Sequence, residues 1–346
     1  MEKKFFIKGL MVLVLCMVIF PLSSKAHDFG WTTIMRGDII PDNQITIGDV
    51  TSLIDYLLRD NADVRGDVNA DGKMDIRDVT ALIDYLLTGE WTWAYTAPEI
   101  PADAEVFTVN GVTFAMNYVE GADNVSPYSG FRTDTTAGLQ YVKIRDFYLG
   151  QTEVTHALWS AVMGDTIDAR NLSVPYEPSP WNPIESVSAE EIQEFISRLN
   201  ELTGHEFHLP TIAQWRWAKT GGVHSQHYYF PGSNYVDEVA WFEQTVPYYH
   251  LWGDITLPVG LKKPNELGLY DMYGNVWEIM YNSDPLDGDE LVGQTSVVDT
   301  YILRLGGSTF LSRPLQSGTL SWETETLSRG HGRAALCGIR LAMQKD

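Results

Sequence analysis

Apolar residues recur along the chain in two rhythms, and one stretch obeys neither. Between Asp49 and Leu58 they fall at Val50, Leu53, Ile54, Leu57 and Leu58, the spacing of one buried helical stripe. The same stripe returns 29 residues later at Val79, Leu82, Ile83, Leu86 and Leu87. Neither helix can cover it alone, so the two are expected to pack on each other. The period then drops to two: Val106 to Met116 alternates about Asn110-Gly111, the strongest short hairpin signal. Tyr141 to Leu149 reads as a further strand. Glu153 to Gly164 reads as a short helix with Trp159, Val162 and Met163 on one face. Pro175 to Pro183 is a proline-rich loop. Ser188 and Glu191 make a capping box for a helix whose stripe is Ile192, Phe195, Ile196 and Leu199, closed by Thr203-Gly204. Beyond it, aromatic and glycine-rich loops dominate, interrupted by short strands such as Tyr301–Arg304 and Ile339–Ala342. Gly268 to Glu278 fits neither period. It is either a buried loop capped by aromatics or a structural cation site beside a binding groove. The pattern predicts an α+β protein, with a small all-α unit first.

Composition narrows what such a chain does. Its 346 residues suffice for one large or two ordinary domains, and 12% are aromatic, including 11 Trp. Lys3, Lys4 and Lys8 precede an apolar run from Leu10 to Phe20, and Ser24-Lys25-Ala26 follows with small residues. Residues 1–26 are therefore expected to be a secretory signal peptide cleaved near Ala26, giving a periplasmic or extracellular protein. Cys16 follows the bulky Leu15, so no lipid anchor is expected, and Cys337 would be left without an intrachain partner. The formal charge of −22 becomes −25 once four Lys and one Glu leave with the leader. That charge disfavours nucleic acid and anionic membrane surfaces as partners.

The 29-residue repeat also carries chemistry. Counting from Asp67, oxygen-bearing side chains stand at positions 1, 3, 5, 9 and 12: Asp67, Asn69, Asp71, Asp75 and Asp78. Gly72 holds position 6, and Lys73 offers its carbonyl at position 7. This is the calcium loop of an EF-hand, in which hard oxygen donors surround the ion and a glycine permits the bend. The first copy is weaker. Asp38, Asp42, Gln44 (by its carbonyl), Thr46 and Asp49 fit, but Ile40 replaces a ligand and Asn43 stands for the glycine. Position 12 is Asp rather than Glu, and no incoming helix precedes either loop. Tandem loop-plus-helix repeats of this kind resemble dockerin domains, which bind cohesin modules in secreted polysaccharide-degrading assemblies. The resemblance places a dockerin-like domain at 27–92 and implies calcium and a cohesin-type partner. It departs at loop positions 10 and 11, which are Ile47-Gly48 and Ile76-Arg77. The alternative is a calcium-stiffened spacer.

A linker is expected at 93–105, and a second domain at 106–346. Within it, Glu153-Val154-Thr155, Leu209-Pro210-Thr211 with Trp215 and Ala218, and Gly221-Gly222 occur in order. Pro258-Val259-Gly260, Asn265, the Gly268–Glu278 stretch, Gly306-Gly307-Ser308 and Gly338-Ile339-Arg340-Leu341-Ala342 follow. Together these resemble the formylglycine-generating enzyme, or sulfatase-modifying factor, family. The resemblance implies a C-type-lectin-like, loop-rich fold and a calcium held by Asp271, the carbonyls of Gly274 and Val276, and Glu278. The competing reading is that an Arg salt-bridges Glu278.

The family's two catalytic cysteines would fall on Leu311 and Gln316, neither of which supplies the thiolate that copper(I) prefers. No copper or iron is therefore expected. Cys337 reads as a small core residue, and the His224/His227 pair as surface histidines. Ile212, Gln214, Arg216 and Ile279 depart from the family pattern around the groove. The expected function is a secreted, calcium-stabilised, non-catalytic binding module accessory to extracellular polysaccharide breakdown. Its ligand would be a glycan or peptide, and its groove residues Trp277, Ser308, Arg304 and Arg340, with Trp215 and Trp217 bracing. The alternative is a formylglycine-generating-type oxidoreductase or non-haem iron enzyme with an atypical metal site.

Overall fold

The computed structural model describes residues 36–42, 44–59, 66–69, 71, 73–92, 94–125, 142–164, 179–241, 256–281, 302–305 and 337–345. The expected leader, Asn43, Gly72, Ser308, Leu311 and Gln316 lie outside them.

The repeat builds α1 (Ile47–Leu58) and α2 (Ile76–Thr88). Loop positions 9 and 12 double as capping boxes: Thr46 with Asp49 opens α1, and Asp75 with Asp78 opens α2. The two loops fold alike. Asp49 accepts the Ile40 and Thr46 amides, as Asp78 accepts those of Asn69 and Asp75. Val50, Leu53, Val79 and Leu82 are buried with Ile39 and Val68 in a small core of their own. The stripe expected to be wholly buried is only half covered: Ile54, Leu58, Ile83 and Leu87 face outward. Two short helices can cover only one side of each other, so the remaining apolar edge stays open.

Trp91 stacks on Tyr85, and the Ala94 amide donates to the Asn69 carbonyl, turning the chain toward the second domain. Tyr95 then stacks on Trp181 with ring centroids 4.8 Å apart. Gln151 Nε2 donates to the Glu99 carbonyl. The connecting segment thus lies against the second domain from its first residues.

That domain opens with the hairpin β1 (Glu105–Val109) and β2 (Val112–Val119), joined through Asn110 and Gly111, both at positive φ. The twist of the pair demands that conformation, which Asn-Gly accepts at low cost. The strand expected over Tyr141–Leu149 is two. β4 (Val142–Ile144) pairs with β3 (Ala122–Val125), whereas β5 (Phe147–Gly150) joins β2. At the break, Asp146 accepts hydrogen bonds from Tyr118 Oη and the Gly121 amide, so the chain changes sheets there.

The helices follow their caps. α3 (His156–Met163) starts at Thr155 and stops at Gly164, later than expected at its N-terminus. α4 (Ala189–Thr203) uses the Ser188/Glu191 box and ends at Gly204. Trp159 of α3 stacks flat on Phe195 of α4 at 4.7 Å. β6 (Phe207–His208) leads into α5 (Ile212–Lys219), whose Thr211/Gln214 capping box is legible in the sequence although no helix was expected there. α6 (Val236–Val239) is one short turn.

The strand expected over Ile339–Ala342 is also two: β9 (Cys337–Ile339) and β10 (Ala342–Gln344). Arg340 and Leu341 form the break. Among the described residues β1, β2, β5, β10 and β6 make one sheet in that order. β8 (Ile302–Leu305), β7 (Trp277–Tyr281) and β9 make another, with β9 parallel to β7. Crossing from one sheet to the other at Arg340 carries that side chain into the middle of the domain.

Candidate functional site

The irregular stretch Gly268–Glu278 bends at four non-helical points: Gly268, Asp271, Gly274 and Asn275 all have positive φ. Gly274 is obligatory, because φ is 92° and a Cβ would collide with the Trp241 carbonyl oxygen. Asn275 accepts the Leu257 amide at 3.0 Å and donates to Glu153 Oε2 at 2.9 Å. The Val276 amide also donates to Glu153. Glu153, which stands just before α3, was not among the expected site residues. Only the Glu-Val-Thr motif marked it, and its role depends on a partner 122 residues away.

Arg340 is the centre of this loop. It is 0% exposed, and its NH2 donates to Glu278 Oε1 at 2.7 Å, with Nε reaching both carboxylate oxygens. The same guanidinium donates to the Gly150 carbonyl at 3.0 Å and the Tyr270 carbonyl at 2.9 Å. Trp215 Nε1 fills the remaining acceptor on Glu278 Oε2 at 2.6 Å. One planar cation therefore ties β5, the irregular loop and β7 together. Trp215, expected to brace the groove, braces this ion pair, while Trp217 Nε1 donates to the Glu120 carbonyl.

The electrostatics are one-sided. Glu153, Asp271 and Glu278 are all buried around the single guanidinium. Burial, reinforced by the Asp271 and Glu278 charges, pushes Glu153 well above the usual carboxylate range, and Arg340 offsets part of that. Burial raises Asp271 to about 6, against the lowering effect of the Gly260 amide and Arg340. Asp271 Oδ2 accepts the Gly260 amide at 2.7 Å, whereas Oδ1 has no hydrogen-bond partner among the described residues.

These contacts test the cation implied for Asp271, Gly274, Val276 and Glu278. Asp271 Oδ1 is a hard oxygen of the right kind. Glu278 is not available: both its oxygens are spent on Arg340 and Trp215. The residues do not fit a calcium held by Glu278, and the ion pair stands in its place. Arg340 is correspondingly no groove residue, being enclosed on all sides. Trp277 is half-buried against the core. Arg304 pairs through its backbone with Ile279 in β7. Among the described residues no group of three or more His, Cys, Asp or Glu side chains is placed to hold a metal as it stands. His224 and His227 lie exposed on the loop after α5, and Cys337 is buried.

In the second repeat loop the donor set is the one a hard divalent cation takes, and its acids are engaged by protein groups. Arg77 bonds Asp71 at 2.8 Å and Asp75 at 2.6 Å. Asp78 is fully buried and raised to about 7 by burial, with the Asp67 and Asp71 charges adding to it. In the first loop, Gln44 is exposed and its amide donates to Asp42. Asp38 accepts the Asp42 amide as Asp67 accepts that of Asp71.

Comparison with known proteins adds the following. Residues 95–345 match the family described as Sulfatase-modifying factor enzyme 1-like domain. Over 175 residues the chain is 34% identical to Chaperone protein LppX of Paenibacillus barcinonensis. That match takes in 40% of this chain and spans 62% of the relative's length. Among solved structures, Treponema denticola variable protein 1 superposes with a TM-score of 0.51 at 24% identity, covering 71% of this chain and all of that one, a likeness of fold. PvdO from Pseudomonas aeruginosa matches at 16% identity and a TM-score of 0.48 over 71% of this chain and 100% of that one.

Proposed function

The chain belongs to the sulfatase-modifying factor enzyme 1-like family through residues 95–345, and on that premise we propose a secreted, non-catalytic binding module that a calcium-ordered docking module attaches to other proteins. The observation that carries the docking half is a duplicated apolar face. Ile47 is 68% exposed and Leu58 82%; their counterparts Ile76 and Leu87 are 67% and 78%. Ile47, Ile54 and Leu58 fall within about 40° of one another around α1, and the second set repeats this on α2. Apolar side chains held outward twice in equivalent places contribute nothing to the core, and such patches mark protein contacts. The partner proposed is a cohesin-type module with an apolar face, consistent with Ile at both tenth loop positions.

Calcium would be held in the second loop by Asp67, Asn69, Asp71, Asp75, Asp78 and the Lys73 carbonyl, and more weakly in the first by Asp38, Asp42, Gln44, Thr46 and Asp49. Binding there displaces Arg77 from Asp71 and Asp75. The non-catalytic half is supported by Leu311 and Gln316 at the thiol positions, and by a relative named as a chaperone. A role in extracellular polysaccharide breakdown is the setting in which docking and glycan recognition meet.

The test is calorimetry of the full chain against cohesin modules, with calcium and with a chelator. Binding that requires calcium and falls about tenfold or more in an Ile47→Asp/Ile76→Asp variant supports the reading. Absence of binding in calcium overturns the docking half. Stoichiometric copper or iron in the purified protein overturns the non-catalytic half.

A further inference from the structure

Of the expected groove residues Trp277, Arg304, Ser308 and Arg340, Arg340 is enclosed and Ser308 lies outside the described residues. A different surface is open. Between α5 and α6 the chain runs Thr220 to Tyr235 without a single Asp, Glu, Lys or Arg. With 20% of the chain charged, about three would be expected in sixteen residues. Within this neutral window Tyr229 is 70% exposed and Tyr235 67%, with Tyr228 and Val223 beside them in sequence and also exposed.

The loop is built, not loose. Its tip, Pro231-Gly232-Ser233, is buried rather than exposed. A Cβ on Gly232 would collide with the Pro264 backbone, so the tip sits hard against the loop that follows it. Phe230 turns inward onto Tyr273, with ring centroids 5.7 Å apart. Phe230 and Ser233 exchange backbone hydrogen bonds at 2.9 and 3.2 Å, and Tyr229 N donates to Asn234 Oδ1 at 3.1 Å. Ser233 Oγ accepts the Tyr235 amide and donates to Glu238 Oε2 at 2.6 Å. The Gln226 amide donates to Glu266 Oε1 at 2.8 Å. Two exposed tyrosines are thus carried on an ordered backbone on either side of a buried turn. An ordered backbone lowers the entropy lost on binding, and tyrosine adds a wide apolar face with a polar tip.

We infer that Tyr229 and Tyr235 form a stacking platform for a neutral polysaccharide. This deepens the binding-module reading and rests on it. Sugar rings present C–H faces that lie on aromatic rings, while their equatorial hydroxyls need uncharged donors and acceptors. Gln226, His227 and Asn234 are exposed beside the tyrosines and supply these. The chain's net charge of −22 repels acidic polysaccharides; Glu238 and Glu266 are bonded to the loop, and Lys263, over the Tyr228 ring, is paired with Glu238.

Affinity electrophoresis and calorimetry of the full chain test this with galactomannan, xyloglucan, arabinoxylan and mixed-linkage glucan, against polygalacturonate and a random peptide library as contrasts. The expected result is binding to at least one neutral polymer. Affinity should fall about tenfold or more in Tyr229→Ala/Tyr235→Ala and stay within about threefold in Tyr229→Phe/Tyr235→Phe, since stacking needs the ring. Both variants change exposed side chains, and an unaltered near-UV circular dichroism spectrum and Tm confirm their fold. If the wild type binds a neutral glycan and the double alanine variant binds equally well, the platform falls while the binding-module reading stands. Preference for polygalacturonate or for peptides also overturns the platform alone. If the wild type takes none of these probes, the binding-module reading falls with it.

Discussion

Replacing Arg340 with Met should cost the second domain about 3–5 kcal/mol of unfolding free energy, the range for breaking a buried ion pair from one side. The structure puts this substitution at the upper end. The guanidinium is wholly enclosed, and removing it leaves Glu278 only the Trp215 Nε1 hydrogen bond among the described residues. It also leaves the Gly150 and Tyr270 carbonyls without that donor, and takes from Glu153 and Asp271 a charge that favours their ionised forms, leaving Asp271 only Lys262. Replacing Glu278 with Leu strands the opposite charge and should cost a similar amount. The double variant Arg340→Met/Glu278→Leu should recover about 2 kcal/mol or more relative to the sum of the two, because neither charge is then left buried alone. Urea titration of the full chain, with hydrogen exchange of the β7 amides to isolate this domain, reads each free energy in calcium and in chelator. The reasoning is refuted if Arg340→Met costs less than about 1 kcal/mol while chelation alone strips protection from β7. That outcome would mean Glu278 serves a metal ion and not Arg340.

Three further outcomes follow from the same structure. Asp271 is raised from 3.8 to about 6 in the folded chain. Its proton is held more tightly folded than unfolded, so its stabilising effect is full below about pH 4 and lost as pH rises through 6. Asp271→Asn should therefore remove about 1 kcal/mol of the stability difference between pH 5 and pH 7, read by paired denaturation curves. Arg77→Ala should tighten calcium binding to the full chain about two- to fivefold in calorimetry, since the guanidinium competes for Asp71 and Asp75 from an exposed position. Gly274→Ala should cost about 2 kcal/mol or more by chemical denaturation, because it adds a left-handed backbone penalty to a collision with Trp241.

What the sequence made legible was what adjacent residues decide. Asn110-Gly111 and the Ser188/Glu191 box need only their immediate neighbours, and both elements stand where the pattern puts them. The Thr211/Gln214 box carried the same signal for α5 but lay in a region dominated by aromatics and glycine. Two strands were read as continuous because alternation does not register a change of sheet. Asp146 and Arg340 mark those changes, and both are polar residues that satisfy the backbone at the switch. The site was legible only in part. Arg340 and Glu278 are 62 residues apart and Asn275 and Glu153 are 122, so their pairing is fixed by the fold and by no local rule. The helical stripes failed differently. Periodicity finds an apolar face without distinguishing one turned to the core from one turned outward, and Ile54, Leu58, Ile83 and Leu87 proved to be the second kind.

An acidic chain must neutralise its buried carboxylates, and this one uses two routes with different consequences. In the second domain the cation is covalent: Arg340 cannot be chelated, diluted or exchanged, and it is inserted at a break between strands. In the repeat, the acids of the second loop face Arg77 from a position open to solvent, where an incoming hard cation can displace it. On the proposed reading only the second arrangement responds to calcium outside the cell. Depleting the ion would then release the docking face while Arg340 continues to hold the irregular loop together. The tyrosine platform, anchored through Phe230 and Tyr273 to that loop, would keep its shape. On that reading attachment and recognition would be separable in the same chain, because the charges behind them are compensated by different means.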